Sequence, residues 1–162
     1  MAAMDGFNPY APPSPASDTP LADSGTGEPV FTDGQVTGAT FLGSPIAGFI
    51  LLAINEKRMG RPERFNKMVG LGLLASIVVV TVAFAIPPEM PGFIVSLGYL
   101  LGMQQLARRW QGEEVMERLS RGTPKGSNWV VFGIAVACFV GMFLVGIGAY
   151  LAFPEFFEAR LS

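Results

Sequence analysis

Hydrophobic positions in this chain come in long unbroken blocks rather than at amphipathic spacing. Four stretches, residues 36–54, 68–86, 91–107 and 129–153, contain no ionisable side chain. At 1.5 Å rise per residue, segments of about 17 to 25 apolar residues match a hydrocarbon core about 30 Å thick. The pattern therefore predicts an all-α, polytopic membrane protein with four transmembrane helices.

Local signals mark where these helices begin and end. Thr32 and Gln35 fit a capping box, and Phe31 with Val36 fits the hydrophobic staple around it. Asp33 falls in the first turn, where negative charge suits the helix dipole. The first helix is expected to end near Asn55. Gly60 and Pro62 follow in a basic loop, with Pro62 suited to open a short approach helix. Pro87-Pro88 stops the second helix, and the short link to residue 91 makes helices two and three an antiparallel hairpin. Between residues 108 and 128 the chain turns polar. Residues 112–121 read as a short amphipathic interfacial helix, with Val115, Met116 and Leu119 on one face. Glu114/Arg118 and Glu117/Arg121 are favourable i,i+4 pairs, and Gly122 is placed to cap the end. Trp110 and Trp129 suit the interfacial belt, and Ser127 or Asn128 can cap the last helix.

Composition adds a tail and an orientation. Residues 1–30 are rich in Pro, Ala, Ser, Gly and Asp, and cannot bury enough apolar surface to offset ordering entropy, so a disordered tail is expected ahead of a membrane domain over 31–162. No basic, apolar signal-peptide pattern opens it. Of the eleven basic residues, Lys57, Arg58, Arg61, Arg64 and Lys67 lie in the first loop. Arg108, Arg109, Arg118, Arg121 and Lys125 lie in the third. With four spans both loops share one side, which the positive-inside rule makes cytoplasmic, and both termini then face outward. A re-entrant first segment is the alternative that would change this. The basic residues, with Lys57, Arg58, Arg61, Arg64, Lys67, Arg108 and Arg109 forming a lipid-facing patch, either only set the topology or also attract anionic headgroups.

The run from Gln35 to Asn55, with its Ala39-Thr40-Phe41-Leu42-Gly43-Ser44-Pro45-Ile46-Ala47-Gly48 core, resembles a family of small bacterial inner-membrane proteins. Members carry A-T-F-x-G-x-P-x-A-G and then N-x-x-x-x-G, here Asn55 to Gly60. Pro87-Pro88-Glu89, Gln111-Gly112 and the Gly122, Lys125, Ser127, Trp129 spacing are similar too. The resemblance covers about residues 31–150 and implies the membrane architecture and a bacterial inner-membrane home. It implies no activity, because the family is uncharacterised.

Candidate chemistry is sparse. Pro45 cannot donate to the Phe41 carbonyl, so the first helix should kink or break there. With Gly43, Ser44, Ala47 and Gly48 around it, the break is either a ligand or ion site or a close-packed kink. Gly98 and Gly102 in helix three, and Gly133, Ala137 and Gly141 in helix four, are further small-residue positions, for packing within the chain or for self-association. Ser76, Thr81 and Ser96 can bond back to their own helix, and Cys138 reads as a small apolar filler. No histidine is present and no span holds an acid or base, which argues against proton coupling, a metal centre or catalysis. No cofactor is expected. The acidic residues interleaved with both basic loops argue against nucleic acid. The expected partners are membrane lipids, further copies of the chain or other membrane proteins. The functional expectation is a structural, accessory or assembly subunit, with a small oligomeric channel or transporter as the alternative.

Overall fold

The computed structural model describes residues 27–86 and 93–155. Residues 1–26 of the tail expected over 1–30, the stop at Pro87-Pro88 and residues 91–92 lie outside them. The described residues are helical: α1 Asp33–Arg58, α2 Phe65–Ala85, α3 Phe93–Ala107, α4 Glu113–Ser120 and α5 Asn128–Ala152. A 3-10 turn, Pro62–Arg64, leads into α2, and a π-helical turn, Arg108–Gly112, joins α3 to α4. Three stretches, Asp33–Arg58, Pro62–Ala83 and Asn128–Ala152, are long and apolar enough to cross a bilayer, which marks the chain as a membrane protein.

Length misleads for the first of them. A straight helix over Asp33–Arg58 would hold its ends about 39 Å apart. Instead the Phe31 N–H donates to Asn55 Oδ1 at 2.8 Å, and Asn55 Nδ2 donates to the Phe31 carbonyl at 2.8 Å. Midway, Thr40 and Gly48 are so close that a Cβ on Gly48 would lie 2.1 Å from Thr40 Oγ1. In a straight helix that pair would be about 12 Å apart along the axis. Residues 33–43 and 45–58 are therefore two antiparallel arms, and α1 is a helical hairpin that enters and leaves at one end of the molecule. The kink or break expected at Pro45 is thus a reversal of the helix at Ser44-Pro45 rather than a bend.

The turn follows from its residues. Ser44 takes φ 76° and ψ 170°, a left-handed extended conformation that ends the first arm. Pro45, with its fixed φ and no N–H to satisfy, opens the second arm as a first-turn proline. Glycines let neighbouring backbones close in. A Cβ on Gly43 would lie 2.4 Å from the Ala135 carbonyl oxygen of α5, and one on Gly72 of α2 would lie 2.6 Å from Phe49 Cβ. The Ile46 N–H, exposed by the break, donates to Ser76 Oγ at 3.1 Å, while Ser76 itself donates to the Gly72 carbonyl at 2.9 Å. The back-bond of Ser76 is expected from its residue type; its service to the hairpin is not.

The hairpin is the hub. Buried Ala39, Ala47, Leu51 and Leu52 of α1 share one core with Met103 and Ala107 of α3 and Val131 and Ala135 of α5. α2, α3 and α5 pack on α1, and α5 packs on no other described helix. The arm over 33–43 reaches about 16 Å from the polar end, near half the thickness of a hydrocarbon core. Beyond the tip, Phe139, Phe143, Leu144 and Leu151 of α5 face outward with no protein partner over most of their surface.

Candidate functional site at the polar end

Among the described residues, buried Gln35, Asn55, Glu56 and Gln111 lie at the end where the hairpin's arms meet, and the last three form a connected network. Asn55 is its centre. Besides its paired bonds to Phe31 it donates to Gln111 Oε1 at 3.1 Å. Gln111 Nε2 in turn donates to the Leu52 carbonyl at 3.0 Å and to Glu56 Oε1 at 2.9 Å. Glu56 is only 2% exposed, and its other oxygen accepts from Arg61 Nε at 2.7 Å. Arg61 then reaches Glu114 Oε2 at 2.8 Å, tying α4 to the end of α1. Burial pulls the Arg61 pKa down, but its hydrogen bonds to Glu114 and Glu56 outweigh this and hold it above the ordinary value.

The start of α1 joins the same network. The capping box forms as expected: the Gln35 N–H donates to Thr32 Oγ1 at 3.3 Å and the Thr32 N–H to Gln35 Oε1 at 3.1 Å. Gln35 also donates to the Gly126 carbonyl at 2.6 Å and to Asn128 Oδ1 at 2.7 Å, which locks the first arm to the start of α5. Asp33 pairs with Arg108 at 2.7 Å. Residues 27–30, assigned to the tail by composition, are instead a docked strap. Val30 is fully buried; its N–H donates to the Pro124 carbonyl at 3.1 Å and its carbonyl accepts from Gly126 at 2.8 Å. Gly126 is needed there, since a Cβ would lie 2.3 Å from the Phe31 ring. Arg58 closes the strap by bonding the Pro29 carbonyl, pairing with Glu28 at 3.6 Å and sitting 5.0 Å above the Phe31 ring.

The π-helical turn makes this convergence possible. The wider turn sends consecutive side chains to different targets: Arg108 to Asp33, Trp110 edge-on to Phe49 at 6.4 Å, and Gln111 into the network. Arg109 lines two clefts instead. The larger, about 1030 Å³, is bounded by α4 and carries Arg118 and Arg121 against Glu113, Glu114 and Glu117. The i,i+4 pairs expected on α4 form, at 3.3 Å for Arg118–Glu114 and 2.5 Å for Arg121–Glu117. Gly122 ends that helix at φ +92°, and Ser127 rather than Asn128 caps α5 through the Trp129 N–H. Of the expected apolar face of α4, Val115 packs with Val30 and Met59, whereas Met116 is 70% exposed.

The structure sorts the remaining candidates. Gly43, Pro45, Ala47 and Gly48 are buried at the hairpin contacts, and Ser44 forms its tip with a buried Oγ that has no hydrogen-bond partner. Gly98, Gly102, Gly133 and Gly141 have open space where a Cβ would project, and Ala137 is exposed, so packing within this chain does not use them. On α5 the inward face runs through Val131, Ile134, Ala135 and Cys138, which turns Gly133 and Ala137 away from it, while Gly141 continues the Ile134 line beyond the hairpin tip. The lipid-facing basic patch also divides. Arg58, Arg61 and Arg108 are engaged with Glu28, with Glu56 and Glu114, and with Asp33, a correction to the reading of all seven as one outward face. Lys57, Lys67 and Arg109 make no ion pair among the described residues, and Arg64 reaches Glu56 only at 3.6 Å. Among the described residues no group of three or more His, Cys, Asp or Glu could hold a metal ion.

No family model, curated protein or solved structure matches the chain. Its function is therefore argued from its own geometry.

Proposed function

We propose that this chain is a bacterial inner-membrane protein whose working element is a re-entrant hairpin, and that it serves as a structural, accessory or assembly subunit of a larger membrane complex rather than as an enzyme. In this reading α2, α3 and α5 cross the bilayer and α1 dips to mid-depth and returns. The N-terminal strap, both basic loops and α4 then share the cytoplasmic side, and the C-terminus lies opposite. This replaces an arrangement with both termini outside.

The observation that carries the proposal is the isolation of α5. Among the described residues it rests on α1 alone, only in its first half, and leaves Ala137 exposed and open space beside Gly133 and Gly141. Small residues on a lipid-exposed face permit close backbone approach by another helix. Extraction in mild detergent followed by native mass measurement tests the reading. A mass above that of one chain, with either identical or co-purifying subunits, is expected; a lone monomer without partners would contradict it.

A second reading, a small channel or transporter working as an oligomer, draws on one specific observation. Ser44 is held in a costly conformation with an unpartnered buried hydroxyl at the meeting point of two half-helices. Solute flux in proteoliposomes that Pro45→Leu abolishes would favour it over the accessory role.

A further inference from the structure

We propose that the cleft between the start of α2 and the π-helical turn binds the phosphate of an anionic phospholipid. The proposal rests on the reading of α2 as a membrane span, and it assigns one defined lipid position rather than general attraction to the surface.

The cleft, about 430 Å³, is lined by Arg64, Lys67, Arg109, Trp110, Met68 and Leu71, with Glu56 at its base. Three cations thus face one carboxylate. Glu56 pairs with Arg64 at 3.6 Å and with Arg61 at 2.7 Å, so this single carboxylate offsets at most one of the three cleft cations. Lys67 and Arg109 have no carboxylate partner among the described residues. The first turn of α2 holds no acid, and its N-terminal partial charge adds to the positive field. Cations brought together without counter-charge repel one another, and a phosphodiester relieves this through charge-assisted hydrogen bonds.

Two features select a lipid over a soluble phosphate. Met68 and Leu71 lead from the cations down α2 onto the exposed apolar surface of Leu74 and Val78, a path for acyl chains continuous with the headgroup position. Trp110, fixed edge-on against Phe49, forms the wall at the level where an indole suits the headgroup boundary. The larger cleft beside α4 lacks this character, because its Arg118 and Arg121 are paired with Glu114 and Glu117 and Arg109 is left as its one arginine without an ion pair among the described residues.

Native mass spectrometry of the purified full chain tests the site with phosphatidylglycerol, phosphatidylcholine and inorganic phosphate as separate probes. We expect one phosphatidylglycerol per chain to be retained preferentially over phosphatidylcholine. Joint Lys67→Gln and Arg109→Gln substitution should weaken it by about tenfold or more, while Lys57→Gln, on the same face outside the cleft, should change it less than about twofold. Equal retention of phosphatidylcholine, equal weakening by Lys57→Gln, or displacement of the lipid by millimolar inorganic phosphate would overturn the proposal. A second measurement leaves the cleft intact. In a Trp129→Phe chain, brominated phosphatidylglycerol should quench Trp110 more than brominated phosphatidylcholine at the same mole fraction, and equal quenching would also overturn it. A chain that washes off membranes with carbonate would instead remove the membrane reading beneath both proposals, whereas an integral chain indifferent to headgroup charge removes only this site.

Discussion

Residues Asp33–Arg58 and Asn128–Ala152 are nearly equal in length, 26 and 25 residues, and each holds an apolar 18-residue window, with mean hydropathies of 1.7 and 2.7. Their surroundings are opposite: 56% of the most apolar window is buried inside the protein for the first and 11% for the second. The second is an uninterrupted helix whose side chains meet the exterior. The first carries a Ser-Pro break at its middle, small residues around it and polar residues at both ends, and it folds back on itself inside a ring of other helices. Apolarity says that a segment enters the bilayer. Whether it emerges on the far side depends on whether its middle can stay helical and whether its two ends find each other.

That contrast is testable by mutation, beginning where the largest effect is expected. Gly48→Val should collapse the hairpin, because even a Cβ would lie 2.1 Å from Thr40 Oγ1 and 2.9 Å from Met103 Cε. A loss of about 3 kcal/mol or more is expected from overpacking at a site with no room to yield. Gly141→Val on α5, with open space at that position, should stay within about 0.5 kcal/mol for the monomer. Unfolding in mixed micelles measures both, and equal losses would erase the contrast between the two segments.

Next comes the polar lock. Asn55→Ala removes both bonds to Phe31 and the donor to Gln111, leaving buried backbone groups unpaired. A loss of about 2–3 kcal/mol is expected on that account. Ser76→Ala strands the Ile46 N–H beside the tip and should cost about 1–2 kcal/mol. The smallest change goes the other way. Ser44→Gly relieves the left-handed backbone and deletes the unpartnered hydroxyl, and should stabilise the chain by about 1 kcal/mol. A destabilising Ser44→Gly would instead mean that the hydroxyl has a partner in the working assembly, which would favour the channel reading.

Much of this fold is legible in the sequence where a rule acts locally. The capping box at Thr32 and Gln35, the glycine end of α4 at Gly122 and the start of α5 at Ser127 each depend on neighbours within a few residues. The fold-back does not. Its local sign is present, since Ser44-Pro45 reads as well for a helix start as for a kink, and it divides the run into pieces too short to span. Deciding between the two requires knowing that Asn55 meets Phe31, and no periodicity encodes that pairing. The same limit hid the roles of Glu56 and Gln111, which look like solvated loop residues until three distant segments bring them together. For the basic residues, counting charges predicts a shared side of the membrane but cannot tell which of them are consumed internally.

The re-entrant path of α1 is tested most directly by the side on which the N-terminal tail lies. Single cysteines at Ser17, Ser120 and Ser162 in a Cys138→Ser background can be probed with a membrane-impermeant maleimide in spheroplasts. Ser162→Cys should label at once, whereas Ser17→Cys and Ser120→Cys should label together and only after permeabilisation. Immediate labelling of Ser17→Cys alongside Ser162→Cys would mean that residues 33–58 cross the bilayer, and would contradict the account.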